Sequence, residues 1–215
     1  VSRPKPAVIF IFVTLFLDVF GIGVIVPVLP KLVELMSGGN LAAASHSVGW
    51  MGAIYALMQF SFAPVLGALS DRFGRRPVVL ISLFGAGLDY LLMAWAPTLA
   101  WLFLGRGIAG LTAANFSAAG AYIADVTPPE KRAEGFGMIG AAFGLGFIAG
   151  PAIGGLLAEL GPRVPFIASA VVTLLNAIYG VFVLPESLQP QNRRPFHWQT
   201  AHPWRALRSL GRWPI

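Results

Sequence analysis

The chain has 215 residues, of which 56% are hydrophobic, 12% aromatic and only 11% charged; 15 Lys and Arg outweigh 9 Asp and Glu, for a net charge of +6. A soluble domain carries about 25% charged residues. This chain therefore lacks the polar surface to solvate a globule of its size, and both a soluble enzyme and a disordered chain are excluded. The absence of cysteine removes disulfides, thiolate metal sites and Cys nucleophiles. His46, His197 and His202 are the only imidazoles, and none sits in an HExxH-like spacing, so no metal site is expected.

A membrane helix needs about 20 mostly apolar residues to cross a hydrocarbon core of about 30 Å. Such runs occupy residues 7–30, 48–69, 78–96, 98–124, 135–157 and 165–184. The first is broken only by Asp18. Arg3 and Lys5 precede it, but it is too long for a signal-peptide core and lacks a small-residue cleavage site, so it reads as a retained helix. The connections are short, except for 31–47. The runs are too long and too uniformly apolar for the alternating strands of a membrane barrel.

Lys and Arg set the orientation. With a cytoplasmic N-terminus, the inside holds Arg3, Lys5, Arg72, Arg75, Arg76, Lys131, Arg132, Arg193, Arg194, Arg205, Arg208 and Arg212. The outside holds Lys31 and Arg163. Topology thus explains the positive charge, and nucleic acid is not needed as a partner. Trp50, Trp95 and Trp101 fall near the expected outer interface, where indole rings settle. Residues 1–184 read as one bundle. Residues 185–215 read as a basic tail, rich in Pro, Gln and Arg with Trp198, Trp204 and Trp213 interleaved. It is either a segment lying on the anionic inner surface or a solvated linker.

Charges inside a span cost about 2.5–3.5 kcal/mol each on insertion scales, so they need a partner or a wet cavity. Asp18, Asp89 and Arg106 are the clear cases. A carboxylate there can act as a reversible proton carrier, whereas an Arg keeps its charge as a fixed partner. A structural ion pair is the alternative. Tyr55, Gln59 and Asn115 are weaker candidates, since a single polar side chain in a span is often interhelical glue.

Gly146, Gly150 and Gly154 recur every four residues and so share one helix face, which lets a neighbouring backbone approach closely. Pro151 and Gly155 beside them allow a bend. Spacing alone does not separate a hinge from plain packing. The segment from Gly67 to Pro77 reads as a short hairpin between two helices, with its glycines, Gly67 and Gly74, permitting a tight turn. Asp71 among Arg72, Arg75 and Arg76 is more than the topology rule requires, and it can accept charge-assisted bonds.

Together these segments resemble the major facilitator superfamily. Gly67–Pro77 is similar to its signature G-x-L-x-D-R-x-G-R-R/K loop between helices two and three. Leu104-Gly-Arg-Gly-Ile-Ala-Gly110 resembles its fourth-helix arginine motif. Gly144-Leu-Gly-Phe-Ile-Ala-Gly-Pro-Ala-Ile-Gly-Gly155 resembles the fifth-helix motif of proton-driven drug antiporters. A closer resemblance is to the tetracycline–proton antiporters, through Leu17-Asp-Val-Phe-Gly-Ile-Gly-Val-Ile-Val-Pro-Val-Leu-Pro30, Tyr55-Ala-Leu-Met-Gln59, Leu88-Asp-Tyr-Leu-Leu92 and Ile123-Ala-Asp125.

The resemblance implies an all-α membrane protein of six transmembrane helices, the N-terminal half of the fold, built as two inverted three-helix repeats. It implies Asp71 and Arg72 in a gating loop, Asp18, Asp89 and Arg106 as membrane charges needed for exchange, and Gln59 near the drug path. It also implies a drug and protons as the transported species, with Mg²⁺ riding on the drug as its chelate. Such transporters have twelve helices, so a second six-helix half is the expected partner. Export of another amphiphilic drug is the second reading. A third is a non-transporting module that homodimerises or joins a second half-protein, because its helix-five glycine face and Asp71 loop would otherwise lack partners. No nucleophile–base pair, phosphate loop or metal cluster supports an enzyme.

Overall fold

The structure is a computed structural model that describes residues 5–113 and 115–198, the side chains of residues 5–8 and 115 excepted. Arg3, the side chains of Lys5 and Asn115, and the expected surface residues Trp204, Arg205, Arg208, Arg212 and Trp213 lie outside the described residues.

The described chain is helical: α1 Lys5–Ile25, α2 Val28–Met36, α3 Leu41–Phe73, α4 Arg75–Ala94, α5 Leu99–Thr112, α6 Asn115–Val126, α7 Arg132–Glu159 and α8 Val164–Val183. Among the described residues five helical stretches are long and apolar enough to cross a membrane, and α1 with α2, bent by 40°, make a sixth. The bend falls at Pro27, which has no N–H to donate and whose ring clashes with the carbonyl four residues back. α5 and α6 together form the fourth span.

Two expectations are corrected. Residues 31–47 do not form the long connection. α2 runs to Met36, buries Val28, Leu29, Leu32 and Val33 on one face, and leaves only 37–40 between helices. Gly38 and Gly39 turn there with φ +67° and +80°, and the Asn40 side chain caps α3 by accepting from the Ala43 N–H at 3.0 Å. An apolar window misses the end of α2 because that helix is amphipathic rather than uniformly apolar. The 33 residues of α3 span about 50 Å. Gly67–Pro77 is likewise not a loop: α3 continues through Phe73, and Gly74 alone, at φ +113°, turns the chain into α4.

The helix pairing carries the repeat. The first span packs most closely on the fifth (α1 on α7), the second on the fourth (α3 on α5), and the third on the sixth (α4 on α8). Exchanging the first three spans with the last three maps the first pairing onto the second and the third onto itself, as two related three-helix units require. One apolar core gathers Ile11, Leu15, Leu83, Tyr122 and Ala177 towards the Arg75 end. A second gathers Leu29, Met51, Met93, Leu102 and Phe166 towards the other.

Within the membrane the first and sixth spans are tied by a buried hydrogen bond, Asn176 Nδ2 donating to Thr14 Oγ1 at 3.2 Å. Interhelical bonds of this kind are worth about 0.6–2 kcal/mol. Asn176→Leu is expected to destabilise the bundle by about 1 kcal/mol, because the Thr14 hydroxyl can turn back to its own helix. Denaturant unfolding in micelles measures this.

Candidate functional site

Three spans bring the predicted intramembrane charges together. Asp18 of α1, Asp89 of α4 and Arg106 of α5 all line one cavity, with Tyr55 of α3, Tyr90 of α4 and Phe116 of α6. Asp89 lies about three-quarters of the way along α4 and Arg106 about a quarter of the way along the antiparallel fourth span, so both fall towards the same end of the bundle. The cavity holds about 40 Å³. That suits a few waters, whereas a drug-sized site needs about 300–1,000 Å³. Gln59, one turn further along α3, is not among the residues that line it.

Asp89 and Arg106 approach without closing. Arg106 Nη2 stands 4.0 Å from Asp89 Oδ2, and the Asp89 side chain is 1% exposed. Neither Asp89 oxygen has a hydrogen-bond partner among the described residues. Arg106 instead donates to Met93 Sδ at 3.0 Å, with its guanidinium carbon 5.9 Å from the Tyr55 ring centre. Asp89 and Met93 are one turn apart on α4, and both face Gly105. A Cβ at Gly105 would sit 2.6 Å from Met93 Cγ and 3.0 Å from Asp89 Oδ1, so only glycine lets α5 come this close. The pair is therefore a loose one: the charges face each other at 4.0 Å with no hydrogen bond between them, and burying a charge that is not closely paired is costly.

A second constellation forms at the Arg75 end. Arg75 Nη1 is 2.5 Å from Asp71 Oδ1 and donates to Ser70 Oγ at 2.6 Å, while Arg75 Nε reaches Asp125 Oδ2 at 3.3 Å. One guanidinium thus joins the ends of the second, third and fourth spans. Arg76 donates to the Val181 carbonyl at 2.6 Å, and Arg72 lies over the Phe73 ring at 5.0 Å. Gly74 is required by its φ; Gly67 lies inside α3, where a Cβ would meet nothing within 4 Å.

The chain leaving α8 closes this constellation. Glu186 Oε1 accepts the Arg75 N–H at 2.9 Å and the Leu188 N–H at 3.0 Å. Ser187 Oγ donates to Asp125 Oδ2 at 3.1 Å, Tyr122 OH donates to the Pro185 carbonyl at 2.9 Å, and the Arg194 N–H reaches the Asp71 carbonyl at 3.0 Å. The sequence reading assigned no role to Asp125 or Glu186. Their signal was weak, since acidic residues at span ends are common.

The third constellation is the glycine face of α7. A Cβ on Gly146 would come 2.8 Å from Val19 Cβ, and one on Gly150 2.7 Å from Gly23 Cα; one on Gly154 would overlap the Val24 carbonyl oxygen. Pro151 packs beside Gly23, whereas Gly155 faces open space. The expectation that this face and the Asp71 segment would lack partners is overturned. α1 covers the first, and Arg75 with the Arg194 N–H occupies the second. The argument for a homodimer built on them falls away.

The fold is thus an apolar helical bundle of up to six candidate spans whose intramembrane charges line one cavity. The family model of the Major Facilitator Superfamily matches residues 11–214. The class C tetracycline resistance protein of Escherichia coli is 48% identical over 96% of this chain and 51% of its own length. Multidrug resistance protein 2 of Bacillus subtilis (strain 168) is 31% identical over 90% of this chain and 47% of its own. The crystal structure of the human organic anion transporter MFSD10 (TETRAN) superposes with a TM-score of 0.80 at 27% identity, covering 93% of this chain and 53% of that one. The chain belongs to the Major Facilitator Superfamily. It spans about half the length of the curated relatives it matches.

Proposed function

We propose that this chain is one six-span half of a proton-coupled drug efflux antiporter for tetracycline-like compounds, working by alternating access. The observation that carries the substrate class is the 44–49% identity to six tetracycline resistance proteins, against 31% and 36% to two multidrug resistance proteins. Proton coupling is supported by Asp89, whose buried carboxyl faces a cavity large enough for water and stands beside an Arg that it does not bond. Asp18 shares that cavity and is the second exchange carboxylate.

A cavity of this size accepts no drug by itself, so the drug site is completed by the second half, along a path that Tyr55, Gln59 and Asn115 border. Asp71, Arg72, Arg75 and Arg76 form the gate at the basic end. The excess of Lys and Arg at that end supports a cytoplasmic location for it, the N-terminus and the tail. Among the described residues no cluster of His, Asp or Glu could hold a metal ion. Mg²⁺ is taken to travel with the substrate, chelated by the drug, as the resemblance to the tetracycline antiporters implies.

The test is drug-dependent proton movement. In everted, energised vesicles carrying this chain with its second half, adding tetracycline is expected to discharge part of the proton gradient. Chelating Mg²⁺ is expected to remove the effect. A folded, membrane-inserted protein that moves no protons with any drug would sink the antiport reading. The second reading, export of another amphiphilic drug, is favoured by the multidrug relatives. A competition panel separates the two.

A further inference from the structure

Residues 185–194, expected to begin a tail that either lies on the inner membrane surface or forms a solvated linker, are instead fastened to the ends of the second, third and fourth spans. The sites of attachment are specific. Glu186 accepts the first free N–H of α4, that of Arg75, and its carboxylate lies at the positive end of that helix's dipole. α4 has no side-chain cap of its own, because its cap position is Gly74. A side chain there would collide with Glu186: its Cβ would stand 2.7 Å from the Glu186 carboxyl carbon and overlap one of the oxygens. Gly74 is thus demanded twice, by its φ of +113° and by the carboxylate seated against it. Leu188 is buried, and its N–H shares the same Glu186 oxygen. Further along, the Arg194 N–H returns to the Asp71 carbonyl.

From this geometry we infer that Glu186 is a positioning residue of the gate: it caps α4 from 111 residues away and clasps the segment after the sixth span to Gly74 and Arg75, beside the Arg194 N–H that holds the same segment to Asp71. The inference rests on reading Gly67–Pro77 as a gate. Its physical content is mechanical. The chain that leaves this bundle at residue 194 hangs from the same groups that hold the second and third spans together. A pull on that chain is therefore delivered to the Asp71–Arg75–Asp125 bonds rather than to α8 alone. Glu186 sets the geometry in which those bonds open and re-form.

The test uses this chain joined to its second half, reconstituted in vesicles. Glu186→Ala is expected to lower the maximal exchange rate about tenfold, the value of one charge-assisted bond, while the KM for drug stays within about twofold. Glu186→Gln keeps an oxygen that accepts both N–H groups, and is expected to recover a large part of the rate. Gly74→Ala should cost less in a Glu186→Ala background than in the parent, because the collision is gone and only the backbone strain remains.

Drug binding to the purified variants in detergent establishes that they are folded. Unchanged turnover in Glu186→Ala, with Asp71→Asn inactive, overturns the clasp and leaves the gate intact. Equal effects of Gly74→Ala in the two backgrounds also overturn it. If Asp71→Asn itself exchanges normally, the gate reading fails, and the clasp fails with it.

Discussion

Asp89→Asn, in the transporter completed by its second half, is expected to lose drug-dependent proton movement by a factor of about a hundred or more, the range for removing a positioned proton-transfer group. The substitution nearly preserves size and removes both the charge facing Arg106 and the ability to take up and release a proton. The expectation follows from where the carboxyl lies. It is 1% exposed, its oxygens have no hydrogen-bond partner among the described residues, and Arg106 stands 4.0 Å away while bonding Met93. A carboxylate kept only to fold the bundle would be closed into a short pair with that Arg. This one is held apart from it at the wall of a water-sized cavity. Binding of tetracycline to the purified variant should persist, which separates lost coupling from lost folding. Asp89→Asn with normal proton movement would take Asp89 out of the mechanism and leave Asp18 as the carboxylate to test.

What was legible in the sequence follows from the range of each interaction. The spans could be read because a membrane crossing is a local property of about 20 apolar residues. Asp18, Asp89 and Arg106 stood out because charge in such a run is costly wherever the other helices lie. Their convergence on one cavity with Tyr55 could not be read, since it depends on the register of α1, α3, α4 and α5. The helical end at 31–36 was hidden because α2 is amphipathic, with charged residues on the face opposite its buried Val28, Leu29, Leu32 and Val33, and so falls outside a uniformly apolar run. Asp125 and Glu186 escaped notice because their meaning lies mainly in the bonds they make to Arg75, 50 and 111 residues away. The glycine spacing on α7 was legible, but not its partner, which is glycine as well: Gly23 of α1 lies against Gly150. A glycine two residues from another, as Gly21 and Gly23 are, carries no periodic signal.

That backbone-to-backbone contact gives the largest expected effect on stability. Gly150→Ala would place a methyl 2.7 Å from Gly23 Cα and 2.8 Å from both Gly23 C and Phe20 O. These atoms are main chain, so no rotamer change relieves the overlap, and α1 and α7 must separate. Overpacking of this kind costs about 1–3 kcal/mol, and the upper end is expected here because α1 is the neighbour on which α7 packs most. Gly155→Ala, on the same helix but with nothing within 4 Å, is the control. Exchanging glycine for alanine in an open helix position is favourable by up to about 1 kcal/mol. Denaturant unfolding of the two purified variants should thus place Gly150→Ala below the parent and Gly155→Ala level with or above it. Exchange should fall with the first and not with the second, because α1 carries Asp18, and moving α1 off α7 displaces that carboxylate from the cavity it shares with Asp89 and Arg106. Equal stability of the two variants would mean that α1 and α7 do not meet at Gly23 and Gly150.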